Sequence, residues 1–351
     1  MPPSSLLPRR PPRRVVVTSL LACAALVLSA CGTSTSKAAP SVEGVPAASI
    51  SVPLSQVACT SSNFCVAAGT SNTGVGPLAT AEFMTPSGHW HPVATPTSST
   101  PRLSSSACEG TTCFLAGAQG RSDLLWRFDA TSHQITAASV PPGGIGIRAL
   151  TCYSLENCAL IDIGANGVAR FSFTADGAAT WSTPLAMSWA ASLSITSLQC
   201  AALFQCLATA TSASHTLVQG TTDGGITWYP LGGASASWTS LQLAQCHFAS
   251  CVGVATGATS RLVRTHDQGV TWTSFALGAS PNALSCPSSR HCLVVGTTKK
   301  NNPWLASVTG TKVVSIRLRY VPTPLLGVAC GTKRCAAIGV TTLVSFPVSI
   351  S

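Results

Sequence analysis

Short apolar stretches recur along most of this chain, broken at alternate positions by Ser or Thr and closed by turns that contain glycine. The cleanest example starts at Ser197. SLQC and CLATAT flank the five residues AALFQ, and HTLVQGTT and TWYPL flank DGGI. Period-two alternation of β-branched or apolar residues with small polar ones predicts half-buried strands rather than helices. Four such strands fit into a unit of about 45 residues.

Cysteine spacing sets the number of units. Fourteen of the sixteen cysteines form close pairs: Cys59/Cys65, Cys108/Cys113, Cys152/Cys158, Cys200/Cys206, Cys246/Cys251, Cys286/Cys292 and Cys330/Cys335. Their first members lie 49, 44, 48, 46, 40 and 44 residues apart. A strand-rich repeat of this period predicts radially arranged blades, and seven units close a ring. The expected fold is all-β, one seven-bladed β-propeller over residues 46–351. Each cysteine pair brackets a short turn between two strands, where facing residues come within reach of a disulfide. One local disulfide per blade is therefore expected, each contributing about 2 kcal/mol by restricting the unfolded chain. Zinc is the competing reading, but it prefers closer spacing and four converging ligands.

The final unit is short, with sixteen residues after Cys335. The strand-like segment ASISVPL, residues 48–54, could supply its fourth strand and tie the two ends together. Closure of this kind removes exposed strand edges.

The N-terminal segment has a different character. Arg9, Arg10, Arg13 and Arg14 precede the apolar run VVVTSLLACAALVLSA at residues 15–30, the layout of an export signal. Leu28-Ser29-Ala30-Cys31 resembles the lipobox of bacterial lipoproteins, which implies lipidation of Cys31. Leu20-Leu21-Ala22-Cys23 is a poorer copy. Arg13-Arg14 before three valines resembles a weak twin-arginine signal, so either general or twin-arginine export fits. Residues 31–45 are small, polar and nearly uncharged, and are expected to be a flexible tether. The implied location is the outer face of a bacterial cell membrane, where disulfides persist.

A second motif recurs in phase with the cysteines. Thr221-Thr222-Asp223-Gly224-Gly225-Ile226-Thr227-Trp228 resembles the Asp box of sialidases and other BNR-repeat propellers. The stretch from Thr265 to Trp272 repeats it with Asp267 and Gly269, and Thr174 to Trp181 repeats it with Asp176 but Ala178 in place of the glycine. The resemblance implies turns between the third and fourth strands of a blade, away from any active site. Asp176, Asp223 and Asp267 are thus structural, with Gly225 and Gly269 supplying positive φ and Trp181, Trp228 and Trp272 packing on a neighbouring blade.

Sialidase chemistry fails on inventory. The Arg-Ile-Pro motif of those enzymes is absent, and the chain after the signal holds three tyrosines and four glutamates. Outside the tether and the boxes six acids remain: Glu82, Glu109, Asp123, Asp129, Glu156 and Asp162. A pair among them could serve a glycosidase, with carboxyls about 5.5 or 6.5–9.5 Å apart. His89-Trp90-His91 could bridge a metal, though exposed turn histidines are the commoner origin of such a pair. His215, His247, His266 and His291 share no spacing. No cofactor or metal is expected, and no phosphate-cradling loop or nucleophile elbow is present.

Charge adds a candidate surface. The chain is +10 overall, and from residue 261 onward ten basic residues face the single acid Asp267. Arg261, Arg264, Arg290, Arg317 and Arg319 head the possible anion-binding set, with Lys299, Lys300, Lys312, Lys333 and Arg334 beside them. Such a field would concentrate anionic partners, and outside the cell nucleic acid is not expected among them. The expected function is a membrane-tethered binding scaffold that recognises an envelope protein or anionic polymer. It resembles the Asp-box propellers that assist assembly of photosystem complexes. A glycan-processing hydrolase is the alternative. Two buried acids at the channel mouth would favour the enzyme, and a channel lined by Ser, Thr and Ala would favour binding.

Overall fold

The computed structural model describes residues 41–46, 53–70, 79–96, 101–202, 204–212, 215–232, 237–247, 249–288, 290–340 and 342–348. The export segment, Cys23 and Cys31 lie outside the described residues. The compact unit runs from Ala39 to Ser351 and holds every described strand and all seven disulfides, so the ring folds as one unit.

The strands build seven blades. Five are separate four-stranded sheets, and blades six and seven join into one eight-stranded sheet. The innermost strands, one per blade, are Leu54–Cys59, Pro101–Glu109, Gly144–Cys152, Ser194–Ala202, Trp238–His247, Ser280–Ser288 and Leu325–Cys330. Each begins at an inter-blade link and ends at a cysteine turn. All cysteine turns, and all turns between third and fourth strands, therefore lie at one end of the ring, called here the disulfide end. Turns between second and third strands, and the links between blades, lie at the opposite end.

Among the described residues, seven apolar clusters fill the gaps between neighbouring blades. Second strands are covered on both faces, and their alanines, including Ala67, Ala68, Ala116, Ala208, Ala255 and Ala336, are fully buried. Small side chains there let blades stack closely near the axis. Bulkier Trp126, Phe128 and Phe171 fill the wider gaps.

All seven expected disulfides are present, with Cα atoms 4.0 to 4.1 Å apart. In blade three, Cys152 and Cys158 face each other across the first two strands, in the same register as the other pairs. The second cysteines Cys65, Cys113, Cys158, Cys292 and Cys335 are buried in the apolar layers between blades. They are staples inside the core rather than parts of a functional site.

The three Asp-centred turns are built alike. Asp223 Oδ1 accepts the Thr227 N–H at 2.9 Å and its Oδ2 accepts the Thr227 hydroxyl at 2.5 Å, while Thr221 Oγ1 accepts the Gly225 N–H at 2.8 Å. Asp267 and Asp176 repeat this pattern. These bonds hold the carboxyls of Asp176 and Asp267 at about 2. Trp181 donates to the Ser139 carbonyl in the preceding link at 2.9 Å, Trp228 packs edge-on to Phe171, and Trp272 packs edge-on to Trp238. Gly225 (φ +85°) abuts the Phe171 ring, so it needs both the left-handed backbone and the missing side chain. Gly269 takes the same place in the next blade at φ +91°, and Ala178 accepts φ +67° in the preceding one. Blade two carries a turn of different sequence with the same logic. Asp129 Oδ1 accepts the Thr131 and Ser132 N–H groups, and His133 stacks on Phe83 of blade one at 4.5 Å.

Ring closure does use an N-terminal strand, but a different one from that expected. Ser41–Pro46 supplies it. Gly44, Val45 and Pro46 pair antiparallel with Val344, Leu343 and Thr342 of blade seven, while Ser41 to Glu43 pair parallel with Arg317 to Arg319 of blade six. The domain therefore starts upstream of residue 46. The segment SVEGVP reads as polar because backbone pairing holds it. Val42 is its anchor in the core, buried against Ile316, Leu305 and Val344. Of the segment 48–54, most lies outside the described residues, and Leu54 opens the first blade.

Side chains lock the seam between blades one and seven. Asn63, at φ +71°, accepts the Lys333 and Arg334 N–H groups through Oδ1 at 2.6 and 3.0 Å and donates to Thr332 Oγ1 at 3.3 Å. Asn63→Ala strands two backbone donors at a close approach, and is expected to cost about 2 kcal/mol in chemical denaturation. A loss under about 0.5 kcal/mol would remove Asn63 from the closure.

Candidate functional site

Every innermost strand carries a register shift near its start. The shifts fall at Leu54/Gln56, Leu103/Ser105, Ile147/Ala149, Ile195/Ser197, Trp238/Ser240, Pro281/Ala283 and Leu325/Gly327. A bulge of this kind bends the strand and re-aims one side chain. The residues thrown out are Ser55, Ser104, Arg148, Thr196, Thr239, Asn282 and Leu326. Six of them sit four residues before the first cysteine of their blade, a fixed offset that the sequence carries in varied residue types, Ser, Arg, Thr, Asn and Leu. Blade five departs, with a second shift at Leu243/Gln245. Gly69, Gly117 and Gly296 lie opposite three of these strand starts, where the carbonyls of Pro53, Arg102 and Ser280, two residues before the bulged one, leave no room for a Cβ.

Six of the seven line the upper channel, a cavity of about 320 Å³ that also includes Gln56, Gln199 and Gln242. Half of the ring is spent on clamping blades together. Ser104 donates to the Ile147 carbonyl at 2.6 Å, Thr196 to Leu241 at 2.8 Å and Asn282 to Leu325 at 2.8 Å. Arg148 is the one charged residue among those lining this cavity. Beside it a second cavity of about 570 Å³ opens between blades two and three, lined by Arg102 and Arg148 with Leu103, Ile145 and Ile147 as an apolar wall.

Blade three carries a second irregularity at its link end. A further shift between Gly144 and Ile147 distorts its inner strand, and Asp162 stands where Gly69 and Gly117 stand in blades one and two. Asp162 is fully buried and chelated by Arg170, Nε to Oδ1 at 2.9 Å and Nη2 to Oδ2 at 2.5 Å. Arg170 Nη1 also donates to the Pro142 carbonyl at 3.0 Å. Asp123 of blade two is buried against this pair and against Gly144. Burial, then the neighbouring Asp162 carboxylate, pushes Asp123 up to about 7. Carboxyls this close resist ionising together, so Asp123 keeps its proton well above the usual carboxylate range.

This pair is not a glycosidase couple. Both carboxyls are buried away from solvent, which leaves no room for a sugar bond between them, and Asp162 is committed to Arg170. Glu109 and Tyr153 do meet in the cavity of about 460 Å³ at the disulfide end, but burial pushes the Tyr153 phenol up to about 12, the wrong direction for a nucleophile. Among the described residues no group of three metal-ligating side chains gathers. His91 stacks on Phe83 at 5.3 Å instead.

The expected anion-binding arginines divide between the two ends. Arg261, Arg317 and Arg319, with Lys299 and Lys300, lie opposite the disulfides. Arg264 and Arg290, with Lys312, Lys333 and Arg334, lie at the disulfide end. Arg264 is part-buried over Phe275 with Nε and Nη2 lacking partners, so it is no surface anion site. Four arginines that net charge by segment concealed, Arg102, Arg121, Arg148 and Arg170, join the first group. The end opposite the disulfides, called here the bulge end after the shifts near the strand starts, thus carries nine basic residues against Glu43, Asp123 and Asp162, a balance of +6. The disulfide end has six basic residues, Arg127 included, against Glu109, Asp129, Glu156 and the three Asp-centred turns, a balance of zero. Glu82 is buried at mid-blade and belongs to neither end. Charge is sorted by face of the ring, not by blade.

No protein-family model and no curated protein matches the chain. Solved structures with the same fold include YCF48 bound to D1 peptide (11% identity, TM-score 0.62, covering 88% of this chain and 97% of that one). YCF48 from Cyanidioschyzon merolae is similar at 13% identity and TM-score 0.58, covering 86% and 98%. A GH74 xyloglucanase from Xanthomonas campestris matches at 10% identity and TM-score 0.58, covering 84% of this chain and 52% of its own. At these identities the shared property is the β-propeller.

Proposed function

We propose that this protein is an extracytoplasmic binding scaffold, lipid-anchored through Cys31 to the outer face of a bacterial membrane, and that the bulge end of its ring is the contact surface. The observation that carries this reading is the +6 balance gathered around a channel mouth lined by hydroxyls and amides. Its partner is an envelope protein or anionic polymer, drawn in by the field and held by the mouth. The three Asp-centred turns support a place among the non-sialidase Asp-box propellers, and YCF48 bound to D1 peptide is a propeller of this shape that engages a polypeptide. The xyloglucanase likeness supports the hydrolase alternative only through the fold, and no accessible carboxylate pair accompanies it among the described residues.

The test is capture from envelope extract by the oxidised domain from Ala39, in steps of salt. Arg102→Ala with Arg148→Ala is expected to abolish retention at moderate salt, and Lys312→Ala with Lys333→Ala to leave it unchanged. Equal loss in both variants, or loss of all capture with salt, would reduce the surface to general electrostatics. Cys31→Ser is expected to release the protein from the membrane fraction.

A further inference from the structure

The cationic residues at the bulge end are not spread evenly. They form two sectors, Arg102, Arg121, Arg148 and Arg170 on blades two and three, and Arg261, Lys299, Lys300, Arg317 and Arg319 on blades five and six. In a seven-membered ring these sectors face each other across the channel mouth, with blade four on one side and blades seven and one on the other. Blade four has His215 as its ionisable group at this end, and the described bulge-end links of blades seven and one carry no charged residue. Between the sectors lies the ring of Ser55, Thr196, Asn282 and the channel glutamines.

We infer that the ligand is a linear polyanion laid across the channel mouth, bridging the two sectors. This rests on the bulge end being the binding face and adds the ligand's form. A compact anion would be held by one cluster. Two clusters separated by a neutral, hydrogen-bonding floor fit a chain that bears charge at intervals and hydroxyl or ester oxygens between. Ser55, Gln199 and Gln242, which are not spent on the blade clamps, can hydrogen-bond uncharged backbone oxygens, and Leu103, Ile145 and Ile147 wall the cavity where the chain enters the first sector. Phosphodiester and uronate chains share this chemistry.

Chain length is the readout. Binding of the oxidised domain from Ala39 is measured by titration with long and short polyphosphate, long and short polygalacturonate, and orthophosphate. A bridging ligand releases counterions from both sectors, so long chains are expected to bind at least about tenfold more tightly per chain end than short ones, with a steeper salt dependence. Arg102→Ala/Arg148→Ala and Lys299→Ala/Lys300→Ala are each expected to weaken long chains about tenfold and to bring them to the short-chain value. Lys312→Ala/Lys333→Ala, at the other end, is expected to change nothing beyond about twofold. A preference for one polymer type identifies phosphate or carboxylate as the charge. Length-independent binding that still needs Arg102 and Arg148 overturns the bridge and leaves the bulge end as the site. Equal loss in the Lys312/Lys333 variant overturns both. Indifference to both polymers, with capture of a folded acidic protein by the same face, overturns the polyanion.

Discussion

Reduction of the seven disulfides is expected to unfold the ring under conditions in which the oxidised protein is stable. Each closes a loop of only five or six residues, contributing about 2 kcal/mol, and seven sum to about 14 kcal/mol. A domain of ordinary stability has about 5–15 kcal/mol in total. The crosslinks matter more here because the cores are divided into seven thin layers rather than gathered into one. One sulfur of nearly every pair is fully buried, as at Cys65, Cys113, Cys158, Cys292 and Cys335, so reduction itself requires a blade to open. Chemical denaturation with and without a reductant checks this. A reduced protein that keeps a cooperative transition within about 2 kcal/mol of the oxidised one would contradict it.

Between pH 5 and pH 8 the oxidised protein is expected to lose about 2–3 kcal/mol through Asp123 alone. Its carboxyl titrates at about 7 in the folded ring, raised by burial and by Asp162, against 3.8 for an unhindered aspartate. A raised folded value means that the native state holds a proton the unfolded chain has released. The stabilisation is fully present below about pH 4, where the unfolded carboxyl is protonated too, and is lost progressively as pH rises from there through about 7. Above that, two buried carboxylates share one guanidinium, Arg170, and the blade two–three boundary is where the loss is felt. The three Asp-centred turns do not interfere, because Asp176 and Asp267 titrate near 2 and their contribution falls away only in stronger acid. Asp123→Asn keeps the side chain's size, offers Asp162 a permanent donor, and is expected to flatten the profile. A wild-type stability unchanged from pH 5 to pH 8, or a slope that persists in Asp123→Asn, would rule out the retained proton on Asp123. Since Gly144 abuts Asp123 and Ile145 walls the arginine cavity, the same titration is expected to alter binding there.

The architecture was legible because its signals are local. Cysteine pairs, strand alternation and Asp-centred turns each lie within one unit, and their common period counts the blades. The closing strand escaped for the opposite reason. Ser41–Pro46 is anchored by Val42 and owes its place to two distant strands, a pairing without a hydrophobic pattern. The binding face was half legible. Summing charge along the chain pointed to blades five to seven, whereas a propeller sorts residues by end of blade. The acids of blades two to five sit largely in cysteine turns and Asp-centred turns, as Glu109, Glu156 and Asp223 do, and all of those lie at the disulfide end. Removing them would have uncovered Arg102 and Arg148. The Asp123–Asp162 contact joins two blades across a deformed strand, and nothing in either residue's neighbourhood announces it. Alanine and serine content, finally, reflects blade stacking and hydroxyl clamps such as Ser105 Oγ, which accepts the Leu150 N–H at 3.0 Å.

The most direct test of the binding face is amide hydrogen exchange of the oxidised domain with and without long polyphosphate. Protection is expected in the turns and links of the bulge end, at residues 119–122, 141–148, 258–261 and 298–302, with the cysteine turns and Asp-centred turns unchanged. Protection confined to the disulfide end, around residues 109–112, 153–157 and 331–334, would contradict the account.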